Sequence, residues 1–169
     1  MIYRYFLILI ACAALLIGIQ VPNLVDQYEK RLDAHFIEAA NNLKGFQEIA
    51  DRYFFGSIEA LIAKHEASED GVFKEEAKPI RNIYERYLIF KSEKLALETT
   101  LAGKVAHLIA NADRELLRET YTNYSFALLL NAESVFAGLV LVALVVLAIE
   151  LLRMIAARLF RMRATQAVR

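Results

Sequence analysis

The histidines and the single cysteine are the residues of this chain whose types could support metal or nucleophilic chemistry. No two of His35, His65 and His107 lie three or four positions apart, the spacing that a local metal pair on a helix needs. We therefore expect solvated or interfacial histidines and no metal site. Cys12 has neither a histidine nor an aspartate beside it, which argues against thiol catalysis.

Nucleotide-binding and hydrolase motifs are missing from the sequence. No Walker, glycine-rich or Gly-x-Ser-x-Gly pattern occurs among its 169 residues, although such motifs mark phosphate and acyl-transfer sites. The formal net charge is zero, which excludes binding of nucleic acid through overall charge. The sequence therefore predicts no enzyme, no cofactor and no nucleic-acid partner.

Two uncharged blocks explain how the chain can be 57% apolar and still 24% charged. The first runs from Tyr5 to Val21 and the second from Ser134 to Ile149. A helix crosses the hydrocarbon core with about 20 apolar residues, and both blocks reach that length with a few flanking residues. We predict transmembrane helices over residues 1–21 and 126–152. Cleavage of a signal peptide before Cys12 is disfavoured, because its apolar region would be shorter than the usual 7–15 or so residues.

Charged residues are distributed unequally around the two predicted spans. Residues 22–125 contain 14 basic and 18 acidic side chains, whereas residues 153–169 contain five arginines and no acid. Positive charge stays on the cytoplasmic side, so we expect cytoplasmic termini and a periplasmic segment 22–125 in a bacterial inner membrane. The basic tail either contacts anionic membrane lipid or simply fixes the topology. Its arginines include Arg153, Arg158, Arg161 and Arg163.

Apolar residues between the spans recur every three or four positions, which predicts helices. Pro22 and Pro79 predict helix starts, so that the segment forms two long helices with a turn near residues 68–78. The predicted fold is all-α, with two transmembrane helices flanking a long antiparallel helical hairpin, packed as in a coiled coil. The glycines at which these helices could break to give a compact helical bundle instead are Gly45, Gly56 and Gly103.

The adjacent aromatic residues Phe54 and Phe55 predict a contact surface. They point in different directions on a helix, so one hairpin cannot cover both, and exposed apolar patches mark contact sites. We expect the protein to associate with itself or with other membrane protein subunits. The alternative is that the hairpin folds back and covers these side chains.

Glu133 interrupts an otherwise uncharged stretch before the second span. It lies inside the bilayer if the second helix begins near Phe126, and intramembrane acids are functional candidates. If the helix begins near Asn131, Glu133 lies at the headgroups. We favour the second possibility, because the following apolar residues span the membrane without it. Gln20 lies at the same predicted membrane level, within reach of a hydrogen bond to Glu133.

The residues that follow the first span resemble a known family. The stretch QVPNLVDQYEKRL at residues 20–32 resembles the opening of the domain of unknown function 2937 family, a group of small two-span bacterial membrane proteins. A second match covers residues 113–124 and 131–137. The resemblance implies a two-span topology in a bacterial inner membrane and supplies no activity. The positions that it marks for testing are Gln20, Pro22, Gln27, Tyr28, Arg31 and Glu133.

The favoured function is that of a non-enzymatic assembly, accessory or scaffold subunit acting through its periplasmic helices. One alternative is a sensor or signalling module with a helical periplasmic domain, although the cytoplasmic tail is too short to form an output domain. Another is a subunit of a transport complex with Gln20 and Glu133 in a polar path. Two spans cannot form a pore alone, so the last alternative requires oligomerisation.

Overall fold

The computed structural model describes residues 2–127 and 131–166, with side chains as far as Arg158. Within these residues the protein is all-α, as predicted, with six helices and no strand. The helices are α1 (Ile2–Tyr53), α2 (Ile58–Glu66), α3 (Gly71–Ala96), α4 (Leu101–Ala110), α5 (Arg114–Thr122) and α6 (Ala132–Gln166). The part between the predicted spans therefore contains five helical segments where two long helices were expected.

Both prolines lie inside helices, so the prediction that they start helices was wrong. Pro22 lies within α1 and Pro79 lies within α3. The start of α3 is set at Asp70, whose side chain accepts a hydrogen bond from the backbone N–H of Val72. The Asp70 side chain thus supplies an acceptor for an otherwise unpaired N–H of the first helical turn, whereas a proline side chain has no acceptor atom. Helix α3 then continues through Pro79. The predicted turn at residues 68–78 is correspondingly shorter, because residues from Gly71 onward are helical.

Short polar residues divide the central part of the chain into its helices. Each caps the helix that follows by accepting a backbone N–H with its side-chain oxygen, which offsets the unsatisfied donors of the first turn. Besides Asp70, these residues are Ser57, Thr100 and Asp113. The break before α2 also contains Gly56, which has a φ of 82°, a conformation that glycine adopts without steric cost. Gly56 was one of the predicted breakpoints.

The chain divides into two compact units. The central unit is Val25–Tyr124, and the terminal unit combines Met1–Leu24 with Ser125–Arg169. The central unit has a core in which α1 contributes Leu43 and Ala50, and α2 and α3 contribute the remaining buried side chains. These are Ile58, Leu61, Ile62, Ala77 and Ile80. The central unit corresponds closely to the predicted segment 22–125, folded as a compact set of helices.

In the terminal unit, the first part of α1 packs against α6 at two glycines. A Cβ on Gly18 would lie 2.6 Å from the Cα of Gly138, so the backbones meet with no room for a side chain. At the other end of this pair, the Tyr3 hydroxyl donates to Glu150 Oε1 at 2.7 Å. These contacts make the two apolar helices antiparallel neighbours, as in close membrane-helix packing.

Candidate functional site

A buried polar network joins four helices of the central unit. The hydroxyl of Tyr28, on α1, donates a hydrogen bond to Glu93, on α3. His107 Nε2, on α4, lies 2.9 Å from the same carboxylate oxygen. The backbone N–H of Asp113, at the start of α5, donates to the Tyr28 hydroxyl at 3.2 Å. Tyr28 is fully buried and Glu93 is only 8% exposed. Their polar atoms are therefore shielded from water and rely on one another as hydrogen-bond partners.

The Tyr28 hydroxyl is fixed in its role as a donor by its surroundings. Burial raises the pKa of Tyr28 far above its ordinary value, and the hydrogen bond to Glu93 raises it further. A buried phenol beside a carboxylate stays protonated because its anion would be desolvated and repelled. The network therefore stabilises the packing of α1, α3, α4 and α5, with the Tyr28 hydroxyl kept protonated.

A second polar cluster surrounds Glu119, on α5. His35 Nε2 lies 2.7 Å from Glu119 Oε2, and Arg31 Nη1 donates to Glu119 Oε1 at 2.9 Å. The hydrogen bond with His35, followed by that with Arg31, lowers the pKa of Glu119 below its ordinary value. The carboxylate is therefore held in its charged form, and it connects α5 to α1.

Replacing Glu119 with glutamine should destabilise the protein at neutral pH and have little effect in acid. A folded-state pKa below the ordinary value of 4.5 contributes stability above that value and loses it as the pH falls through the folded-state pKa. We expect the melting temperature of Glu119→Gln to lie below that of the parent at neutral pH, with the difference closing as the pH falls below 4.5 and through the folded-state pKa. Glu48→Gln, an exposed change on α1, is the control. A difference that is constant with pH would contradict the assignment.

An open cavity lies beside Glu119, between α1, α3 and α5. Its volume is about 370 Å³, and the side chains that line it include His35, Arg86, Phe90, Glu115, Leu116 and Glu119. Phe90 stacks on His35, with ring centroids 5.5 Å apart, and the Arg86 guanidinium lies 5.7 Å from the Phe90 ring centroid. The cavity thus combines an aromatic wall with charged groups of both signs.

The described residues contain no group of three or more histidine, cysteine, aspartate or glutamate side chains placed to hold a metal ion. The three histidines are partly exposed and have specific partners. The side chains of His107 and His65 are 15% and 17% exposed, and His65 Nδ1 lies 2.9 Å from the carbonyl oxygen of Leu61. Local spacing along the sequence cannot show Glu119 and Glu93, the partners of His35 and His107, because they lie on other helices.

A comparison with known protein families identifies the family of this chain. The family described as "Protein of unknown function (DUF2937)" matches residues 2–162. The chain belongs to the DUF2937 family. This match covers the whole central unit, and so extends beyond the two stretches that carried the resemblance in the sequence. No curated protein and no solved structure matches the chain.

Two of the positions marked by the resemblance to DUF2937 proteins, Tyr28 and Arg31, take part in the polar clusters of the central unit. Their partners Glu93, His107 and Glu119 were missed, because their spacing in the sequence carries no recognisable motif.

The two adjacent aromatic side chains, which were predicted to form a contact surface, have different surroundings. Phe54 is half-buried and packs against the core, whereas Phe55 is fully exposed.

The candidate polar residues of the two spans, Gln20 and Glu133, lie in the terminal unit of this DUF2937 chain. Gln20 accepts a hydrogen bond from Asn23, whose amide also donates to the carbonyl oxygen of Ser125. Helix α6 begins at Ala132, so Glu133 occupies its first turn, the position expected if the helix begins near Asn131. A carboxylate there interacts favourably with the helix dipole. The hydrogen bond between Gln20 and Glu133 stays a prediction.

The basic tail continues α6 as a helix to Gln166. Arg153 lies 3.3 Å from Glu150 and 5.3 Å from the ring centroid of Tyr3, and Arg158 is exposed. The predicted lipid-contacting side chains of Arg161 and Arg163 lie outside the described residues.

Proposed function

We propose that the protein is a non-enzymatic assembly or accessory subunit of a bacterial inner membrane, anchored by two helices. In this proposal both termini are cytoplasmic, and the central unit lies in the periplasm, where it contacts a second copy or other membrane protein subunits. The proposal rests mainly on a strained, fully exposed aromatic side chain in the central unit.

Membrane anchoring is supported by the length, composition and exposure of two helices. α1 and α6 are the two described helices that are long and apolar enough to cross a membrane. Only 6% of the most apolar window of α6 is buried within the protein. A soluble protein buries such a helix in its core, so lipid is the natural cover for this surface. The arginines after α6 and the acidic excess of the central segment support cytoplasmic termini.

The contact surface is assigned to the loop between α1 and α2. Phe55 has a φ of 52° and a fully exposed side chain, a conformation that is unfavourable for a bulky residue. The nearby Tyr53 is 72% exposed. Hydrogen bonds from the N–H groups of Phe54 and Gly56 to the carbonyl oxygen of Ala50 hold this loop. Strain of this kind costs about 1–3 kcal/mol and concentrates at functional positions.

Substitution of Phe55 by glycine separates folding from association. Glycine adopts a positive φ without strain, so Phe55→Gly should leave the melting temperature unchanged or raise it. The loss of the exposed ring should reduce association with the partner. The measurement is the mass of the complex in mild detergent, with identification of every protein that copurifies. Ile109→Ser, which removes another side chain that is 82% exposed, is the matched control and should retain the partner. A monomer without any copurifying protein would refute the assembly role.

The proposed topology is tested by labelling single cysteines from outside the cell. Cys12 is first replaced by alanine, and a cysteine is then introduced at Asp70 or at Arg163. Only the Asp70→Cys variant should react with a membrane-impermeant maleimide before lysis, because its loop would face the periplasm. Reaction of Arg163→Cys in intact spheroplasts would place the tail on the opposite side and reject this topology.

A further inference from the structure

Two exposed charged side chains of opposite sign line the open cavity between α1, α3 and α5 without an ion-pair partner. Within the described part of the chain, the Arg86 guanidinium contacts the Phe90 ring and Glu115 has no hydrogen-bond or ion-pair partner. The other acidic groups of the lining are already engaged. Glu119 is held by His35 and Arg31, and Asp113 Oδ1 accepts the backbone N–H of Leu116 at 2.8 Å.

Apolar side chains complete the lining of the same cavity. Ile89 and Phe90 come from α3, and Leu116, which is only 2% exposed, comes from α5. Arg86 and Glu115 do not pair directly across this surface, since no ion pair joins them within 4.0 Å among the described residues. The cavity thus presents one cationic group and one anionic group that lack an ion-pair partner, Arg86 and Glu115, beside the engaged carboxylates of Asp113 and Glu119 and an apolar wall. Ligand pockets have volumes of about 300–1,000 Å³, and this cavity lies near the lower limit.

We propose that this cavity binds a free α-amino acid with an apolar side chain. The ligand carboxylate pairs with the Arg86 guanidinium, whose planar donors match a carboxylate in a bidentate manner. The ligand ammonium pairs with Glu115, and the apolar side chain covers Ile89, Phe90 and Leu116. A zwitterion satisfies both unpaired charges together. A simple amine or a simple acid leaves one of them without a partner.

Binding is tested on the full-length protein in detergent by isothermal titration calorimetry with L-leucine. Two probes control for the individual charges: isoamylamine lacks the carboxylate, and 4-methylpentanoate lacks the ammonium group. We expect L-leucine to bind and each control probe to bind about tenfold or more weakly, because each loses a charged hydrogen-bonding group. Glycine, which lacks the apolar side chain, should also bind more weakly than L-leucine.

Charge-neutralising variants locate the binding site. Arg86→Gln and Glu115→Gln should each weaken L-leucine binding by about tenfold or more. Each variant should also lose the preference that depends on its own charge. Arg86→Gln should bind L-leucine and isoamylamine equally, because it no longer pairs with the carboxylate. Glu115→Gln should bind L-leucine and 4-methylpentanoate equally, because it no longer pairs with the ammonium group. Glu85→Gln and Arg114→Gln are exposed neighbours on the same helices and should bind L-leucine as the parent does. Unchanged melting temperatures in the absence of ligand would show that all four variants fold.

Three results would overturn the inference. The first is an absence of L-leucine binding, and the second is equal binding of L-leucine and isoamylamine to the parent protein. The third is unchanged L-leucine binding by both site variants. None of these results bears on the assembly role, which is tested by copurification and by Phe55→Gly. Failure of one proposal is therefore distinguishable from failure of the other.

Discussion

Replacement of Gly18 by alanine is expected to destabilise the pairing of α1 and α6 by about 2 kcal/mol, within the usual range for overpacking. The new Cβ would lie 2.6 Å from Gly138 Cα and 3.0 Å from the carbonyl oxygen of Ala137. Both are backbone atoms, so the clash is relieved only by moving one helix away from the other. Separation would also lengthen the hydrogen bond between Tyr3 and Glu150.

The effect is measured by titrating the detergent-solubilised protein with sodium dodecyl sulfate. Dyes on cysteines introduced at Arg4 and Ala157, in a Cys12→Ala background, report helix separation by energy transfer. Gly138→Ala should be less damaging than Gly18→Ala, because its nearest contact is the flexible end of Leu15, at 2.8 Å.

Gly45→Ala is the matched control for the glycine substitutions. Gly45 lies in α1, and a Cβ at this position would have no atom within 4 Å apart from its chain neighbours and the adjacent backbone of its own helix, so alanine should stabilise the helix by up to about 1 kcal/mol. Equal effects of Gly18→Ala and Gly45→Ala would show that helix propensity, and not close packing, determines the result.

Replacement of Glu93 by alanine is expected to destabilise the central unit by about 3 kcal/mol, since unsatisfied buried polar groups each cost about 1–3 kcal/mol. The change removes the acceptor shared by the Tyr28 hydroxyl and His107. Tyr28 is fully buried, so water cannot readily replace the lost partner. The measurement is thermal or chemical unfolding followed by far-ultraviolet circular dichroism.

Two comparisons separate the network from a general effect of substitution in α3. Glu85→Ala removes an exposed carboxylate from the same helix and should change stability by no more than about 0.5 kcal/mol. Glu93→Gln keeps an oxygen that can accept from Tyr28, so its loss should be smaller than that of Glu93→Ala. If Glu93→Ala were as stable as Glu85→Ala, the network would not be holding these helices together.

The helical class and the two apolar helices could be predicted because both depend on local patterns. Apolar residues at helical spacing require a helix to gather them on one face, and an uncharged block near 20 residues long suits a membrane span. The predicted second span began at residue 126, whereas α6 begins at Ala132. The start near Asn131, which was the favoured of the two alternatives for Glu133, agrees with the structure. Tyr28 and Arg31 were found only through the family resemblance, which did not indicate their roles.

The division of the central part of the chain into five helical segments was not predicted. Pro22 and Pro79 suggested helix starts, yet both are inside helices. In α3 the capping side chain of Asp70, and not Pro79, determines where the helix begins. Similar short polar residues occur elsewhere in the sequence without capping a helix. A cap becomes recognisable only when the tertiary packing determines which segments are helical.

The sequence by itself determined the helical class, the two apolar helices and the unequal distribution of charge along the chain. Only the tertiary structure joined Glu93 to Tyr28 and His107, and Glu119 to Arg31 and His35. It also formed the open cavity lined by Arg86 and Glu115. The physical reason is one of range: helix periodicity and hydropathy act over a few neighbouring residues, whereas these contacts join side chains from different helices and depend on how those helices pack.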